Sequence, residues 1–149
     1  MKKISLLLIF ILMLTLSCCS KVKTTEDSKE FCEYIYDISR GEIKRGVVID
    51  LRDLETDYAS GHIYGALSYD FSNQEENHFI TWITGLKSTD TQVLIIDSGN
   101  NEHQTIMNYL EKAGYKKVLA YTLGYDTLKD SNEFKQKVEV KTGTEDCGC

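Results

Sequence analysis

An α/β domain, a parallel sheet with helices on both faces, is what this sequence predicts, and three observations lead there. Two short, almost uninterrupted apolar runs, Gly46-Val47-Val48-Ile49-Asp50-Leu51 and Gln92-Val93-Leu94-Ile95-Ile96-Asp97, have the pattern of strands covered on both faces. Segments with apolar residues at helical spacing stand around and between them. The chain of 149 residues, 42% hydrophobic and 27% charged, is long enough to bury one core and short enough to be one domain. A net charge of −6 argues against a nucleic-acid partner, which would require a basic face. The absence of Pro excludes PxxP docking segments and cis-proline switches.

Residues 1–18 read as a signal peptide. Lys2 and Lys3 precede an apolar run from Ile4 to Leu16, thirteen residues and too short to span a bilayer. Leu16-Ser17-Cys18-Cys19 follows and resembles a bacterial lipobox. Cys19 is the favoured lipidation site, with Leu16 three residues before it; Cys18 is the alternative, having Ser17 directly before it. The expectation is a palmitate-bearing lipoprotein on the extracytoplasmic side of the cell membrane. Without residues 1–18 the chain carries 15 Lys and Arg against 23 acids, Lys2 and Lys3 being the only charges removed. Anionic headgroups would repel a body of that net charge, so the lipid is expected to hold it at the membrane. Residues 19–28 read as a polar tether.

The domain is expected over 28–132. Phe31, Tyr34, Ile35 and Ile38 recur at helical spacing, with Ser28 as the expected N-cap and Gly41 as the stop. The first apolar run is a strand, and Ala66-Leu67-Ser68-Tyr69 a possible second. Asn73 to Leu86, with Phe79, Ile80, Trp82, Ile83 and Leu86, reads as a helix whose Trp82 belongs to the core. The second apolar run is the clearest strand. Thr105 to Ala113 is a helix that Gly114 ends, and Lys117 to Tyr121 is a further strand. From Glu133 the chain is charged and read as a loose tail ending in Cys147-Gly148-Cys149.

In such a sheet the chemistry sits beyond the strand C-termini. The loop from Asp97 to Glu102 joins a buried strand to a helix N-terminus, an arrangement that aims backbone N–H groups at one point. The other such loop runs from Asp50 to Ala66. That stretch resembles the signature of the rhodanese-like family: a strand ending in Asp50-Leu51-Arg52, the aromatic Tyr58, then Gly61-His62-Ile63-Tyr64-Gly65-Ala66. The resemblance covers about residues 28–130 and implies the three-layer rhodanese fold. In the family the loop runs Cys-x-x-x-x-Arg, and the Cys carries a persulfide. Counting back from Gly114, Asp97 holds the Cys position and Glu102 the Arg position.

A carboxylate cannot hold a stable persulfide. Two carboxylates ~6 Å apart at an effective dielectric of ~20 repel by about 3 kcal/mol, and an anionic substrate between them would meet both. Leu123 and Leu128 replace the Gly and Trp that the family's last motif favours. The expectation is therefore a rhodanese-like domain without sulfurtransferase activity, serving as a binding module for an unknown protein partner. The alternative is a sulfur-handling or redox enzyme using Cys147 and Cys149.

Simpler roles are open for the same residues. Asp97 can accept hydrogen bonds from loop amides, and Glu102 suits a helix N-terminus. His62 is expected to bond the adjoining turn, Asp50 and Arg52 to form a buried pair, and Cys32 to be a buried thiol on the first helix. Asp97, Asn100, Asn101 and Glu102, with Ser98 and Gly99 between them, offer oxygen ligands, but their spacing matches no standard calcium loop. No metal and no cofactor is expected.

Overall fold

The structure is a computed structural model and describes residues 21–71 and 75–145. Five parallel strands form the main sheet in the order β1-β6-β5-β2-β4: β1 is Lys21–Thr25, β2 Gly46–Asp50, β4 Leu67–Ser68, β5 Gln92–Ile96 and β6 Lys117–Tyr121. The helices are α1 (Ser28–Ser39), α2 (Glu76–Leu86), α3 (Glu102–Lys112), α4 (Gly124–Asp130) and α5 (Asn132–Lys137). A two-stranded antiparallel ribbon pairs β3 (His62–Ile63) with β7 (Val140–Lys141).

Strand side chains alternate between the two faces, so each apolar run feeds two cores. Val48, Leu94, Ile96, Leu119 and Tyr121 face α1, α4 and α5, meeting Phe31, Cys32, Ile35, Leu128 and Phe134. Val47, Ile49, Val93, Ile95, Val118 and Ala120 meet Phe79 and Ile83 of α2 and Ile106 and Leu110 of α3. This explains why the central strands read as unbroken apolar runs: neither face is wet. Trp82 is half-buried and packs on the rim of the second core against Tyr69 and Phe79.

The N-cap of α1 is Asp27 rather than Ser28; its carboxylate accepts from Lys29 N at 2.9 Å and Glu30 N at 3.4 Å. Helix α3 begins three residues before Thr105, at Glu102. Of the expected helix from Asn73, the described part begins at Glu76.

Two stretches read as loose are built into the fold. Within the expected tether, Lys21–Thr25 is a strand on the sheet edge, in register with Lys117–Tyr121. An edge strand gains backbone hydrogen bonds on one side and leaves its outer side wet, so KVKTT needs only Val22 to pack, and its lysines are what blunted edges carry. Within the expected tail, α5 buries Phe134 edge-on against Tyr125, and β7 pairs with β3. One aromatic in a six-residue helix and a two-residue strand produce no periodicity for a sequence to display. Phe134→Ala is expected to cost about 3 kcal/mol in urea unfolding, the usual penalty for emptying a buried aromatic site; a loose tail would lose nothing.

Candidate functional site

The C-terminal edge of the sheet gathers the loops after β2, β5 and β6. Asp97 leaves β5 fully buried, and its carboxylate turns back into its own loop. Oδ1 accepts the Gly99 amide at 2.7 Å. Oδ2 accepts the His103 amide at 3.1 Å and the His103 imidazole Nδ1 at 2.7 Å. Asp97 is thus the loop's resident anion, seated on the N–H groups of the helix start that would otherwise receive an external one. His103 was not legible as a partner: six residues separate it from Asp97, and only closure of the loop brings the two together. The pair is 0% and 1% exposed, so neither presents a reactive atom to solvent.

The loop is backed by the corner after β6. Gly124 has φ +80°, and a Cβ there would lie 2.6 Å from Gly99 N and 2.7 Å from Ser98 C. The next amide, Tyr125 N, donates to Asp97 O at 2.8 Å. Backbone packs directly on backbone, which only Gly allows. Asn101, just before α3, takes the left-handed conformation at φ 68°.

Asp50 and Arg52 form the expected buried pair. Arg52 Nη2 donates to Asp50 Oδ2 at 2.7 Å and its Nε to Oδ1 at 3.0 Å. Nη2 also donates to Gly61 O at 2.8 Å, closing the loop that begins at Asp53. The Arg52 guanidinium lies 3.5 Å from the centre of the Tyr125 ring. Burial pushes the Tyr125 phenol above its usual range, with the Arg52 charge opposing that rise. His62 stacks on Tyr58, centroids 3.8 Å apart, and its Nδ1 donates to Tyr58 O at 3.1 Å. The Tyr58 hydroxyl donates to Ala66 O at 2.6 Å, and Gly65 turns the chain at φ 75°. These motif residues hold the long loop after β2, and two of them, Arg52 and Gly61, also line a cleft.

Two clefts flank the Asp97 loop and share Arg52, Asp57 and Ser98. One, about 610 Å³, lies between the β2 loop and α4–α5 and is lined by Gly61, Tyr125, Phe134 and Val138 and by charges of both signs, Asp126 and Asp130 with Lys129 and Lys135. The other, about 360 Å³, is lined by four carboxylates, Asp53, Asp57, Asp70 and Glu102. Glu102 therefore faces a cleft as its position suggested, whereas Asp97 does not. The repelling pair expected at Asp97 and Glu102 is replaced by Glu102 with three carboxylates from other loops, because Asp97 is spent on loop donors. Among the described residues no group of His, Cys, Asp and Glu is arranged to hold a metal ion. Cys32 sits on α1 within the core, its thiol pushed up to about 11 by burial. Cys18, Cys19, Cys147 and Cys149 lie outside the described residues.

Residues 35–131 match the family model for the rhodanese-like domain. The chain belongs to the rhodanese-like family. Its fold is similar to that of the Alr3790 protein from Anabaena sp., at 16% identity and a TM-score of 0.56 over 75% of this chain and 90% of that one. It is also similar to a full-length protein from Lactobacillus plantarum, at 17% identity and 0.54 over 95% and 97% of the two chains. A thiosulfate sulfurtransferase from Pseudomonas aeruginosa aligns at 18% identity and 0.52 over 73% of this chain but 19% of its own length. No curated protein sequence matches the chain. The family match ends at residue 131, so α5 and β7, which wall the larger cleft of this rhodanese-like domain, lie outside it.

Removing the resident anion leaves the buried imidazole and two amides without a partner. Asp97→Ala is expected to lose about 3 kcal/mol in urea unfolding. A double-mutant cycle with His103→Ala should return a coupling of about 1 kcal/mol or more; additive losses would mean the hydrogen bond contributes nothing specific.

Proposed function

We propose that this protein is a lipid-anchored, extracytoplasmic rhodanese-like domain that has given up sulfurtransferase chemistry and serves as a binding module. The observation that carries the reading is the inward-turned Asp97 carboxylate. By its spacing to Gly114 it stands where the family would place its thiolate, and it fills the amide cradle from inside. Among the described residues no thiol stands there to take a sulfane sulfur, and the approach beside Glu102, Asp53 and Asp70 carries carboxylates. The larger cleft, where Tyr125, Phe134 and Val138 stand among charged groups of both signs, is the surface on which a protein partner would dock. Lipid anchoring rests on Leu16-Ser17-Cys18-Cys19 behind an apolar run, and with it the location at the membrane.

Thiosulfate:cyanide sulfurtransferase assay of the full chain should give no turnover, and deletion of residues 146–149 should change nothing. Turnover that disappears with that deletion would instead make Cys147 or Cys149 the nucleophile. Asp97→Cys alone should remain poor, because Glu102 and its neighbours still oppose an anionic donor. Adding Glu102→Arg should raise turnover about tenfold or more over that single variant, the scale of one close charge reversed. Equal rates for the single and double variants would show that charge does not limit the reaction.

Intact-mass analysis of the membrane fraction should find an acylated N-terminal Cys19, or Cys18. An unmodified product recovered only from the soluble fraction would refute the anchor.

A further inference from the structure

The strands of the main sheet all run the same way, so the domain has two chemically different ends. The C-terminal edge carries the Asp97 loop and the carboxylates Asp53, Glu55, Asp57, Asp70 and Glu102. The N-terminal edge is the opposite. The register aligns Lys21 with Lys117, Lys117 with Gln92, and Gln92 with Gly46, which places the turns before these strands side by side. Lys21 N donates to Lys116 O at 2.7 Å, fastening the first strand to that edge. Lys21, Lys44, Arg45, Lys116 and Lys117 line one concavity, and Lys44 and Arg45 continue into a second beside Lys87. Those turns supply six cations against two carboxylates, Glu42 and Asp90, of which Asp90 is paired with Arg45. Leu86, 47% exposed, borders the second concavity. A chain with a net charge of −6 thus gathers six of its seventeen Lys and Arg on one edge, and net charge alone misstates how this protein meets a membrane.

We propose that this N-terminal edge is a docking face for an anionic phospholipid bilayer, on which the domain sits with its Asp97 loop and clefts turned outward. Two features of the molecule support that occupant. The charge is complementary, and cations within about a Debye length of an anionic leaflet are attracted to it. The anchor position is also right. Only Ser20 separates Cys19 from Lys21, so a lipid on Cys19 enters the bilayer within about 10 Å of the basic edge. With no room for a long tether, the edge that holds β1 has to face the bilayer, and that edge is the basic one. The acidic C-terminal edge, repelled by the same headgroups, points away. The proposal rests on the lipoprotein reading for its anchor but on the charge distribution for its face.

Lysine acetylation footprinting of the full-length protein, read residue by residue by mass spectrometry, tests the face. The protein is placed with vesicles of phosphatidylcholine alone, or of phosphatidylcholine containing phosphatidylglycerol, and its intact mass is recorded in the same sample. Labelling of Lys21, Lys44, Lys87, Lys116 and Lys117 should fall at least about fivefold on the phosphatidylglycerol vesicles, while Lys129 and Lys135 keep their labelling. The variant K116E/K117E should lose the protection of Lys44 and Lys87, as should raising salt to about 1 M. An acylated mass with equal labelling on both vesicle types, or with Lys129 and Lys135 protected instead, overturns the docking face and leaves the anchor standing. An unacylated mass overturns the anchor. The face is then judged by the same lysines on phosphatidylglycerol vesicles at low salt: protection supports it and none overturns it. Protection by soluble polyphosphate at the same phosphate concentration, equal to that by vesicles, would overturn the bilayer as the occupant.

Discussion

The candidate site depends on one carboxylate. Asp97 follows the central strand, and the short loop from there to the start of α3 leaves N–H groups converging that need a partner. Asp97 satisfies Gly99 N and His103 N, and it binds the His103 ring that fixes the first turn of α3. Gly124 then allows the next corner to pack backbone to backbone on the same loop, and Tyr125 N returns to Asp97 O. The carboxylate at the position where the family resemblance leads one to expect a Cys is therefore also what closes the loop. An anion supplied by the chain fills the amide cradle from inside.

A second closure works beside it. Arg52 ties Asp50 to Gly61 and sits over the Tyr125 ring, so the long loop after β2 is held against α4. Buried ion pairs add little net stability, but breaking one strands a charge, which makes the geometry specific. Around these closures pack α5 and β7, which lie beyond the residues the family model matches. They turn the open side of the site into a cleft with Phe134 and Val138 in its wall. Beside the Asp97 loop the described residues thus form a concavity open to solvent. Its two ends differ in sign, so whatever occupies the acidic end and whatever meets the basic end are chemically different.

The unbroken apolar strands, the helical stripes of α1, α2 and α3, and the string from Asp50 to Ala66 were legible because each encodes its environment locally. A two-faced buried strand must be apolar throughout, and an Asp-x-Arg pair two residues apart is set by the chain itself. His103 as the partner of Asp97, Phe134 as core, and KVKTT as a strand were not legible. Each acquires its role from a segment distant in sequence or folded back by a loop, and none repeats often enough to give a period.

By itself the sequence determined the layer architecture, the pair Asp50–Arg52, and a carboxylate in place of any thiol at position 97, since these follow from local pattern and residue chemistry. Only the tertiary structure decided that the Asp97 carboxylate faces inward, because its direction depends on the donors that loop closure brings within 3 Å. It also decided where the charge lies. The lysines at 21, 44, 87, 116 and 117 are scattered along the chain, and parallel strand order is what collects strand beginnings, and with them these cations, on one edge.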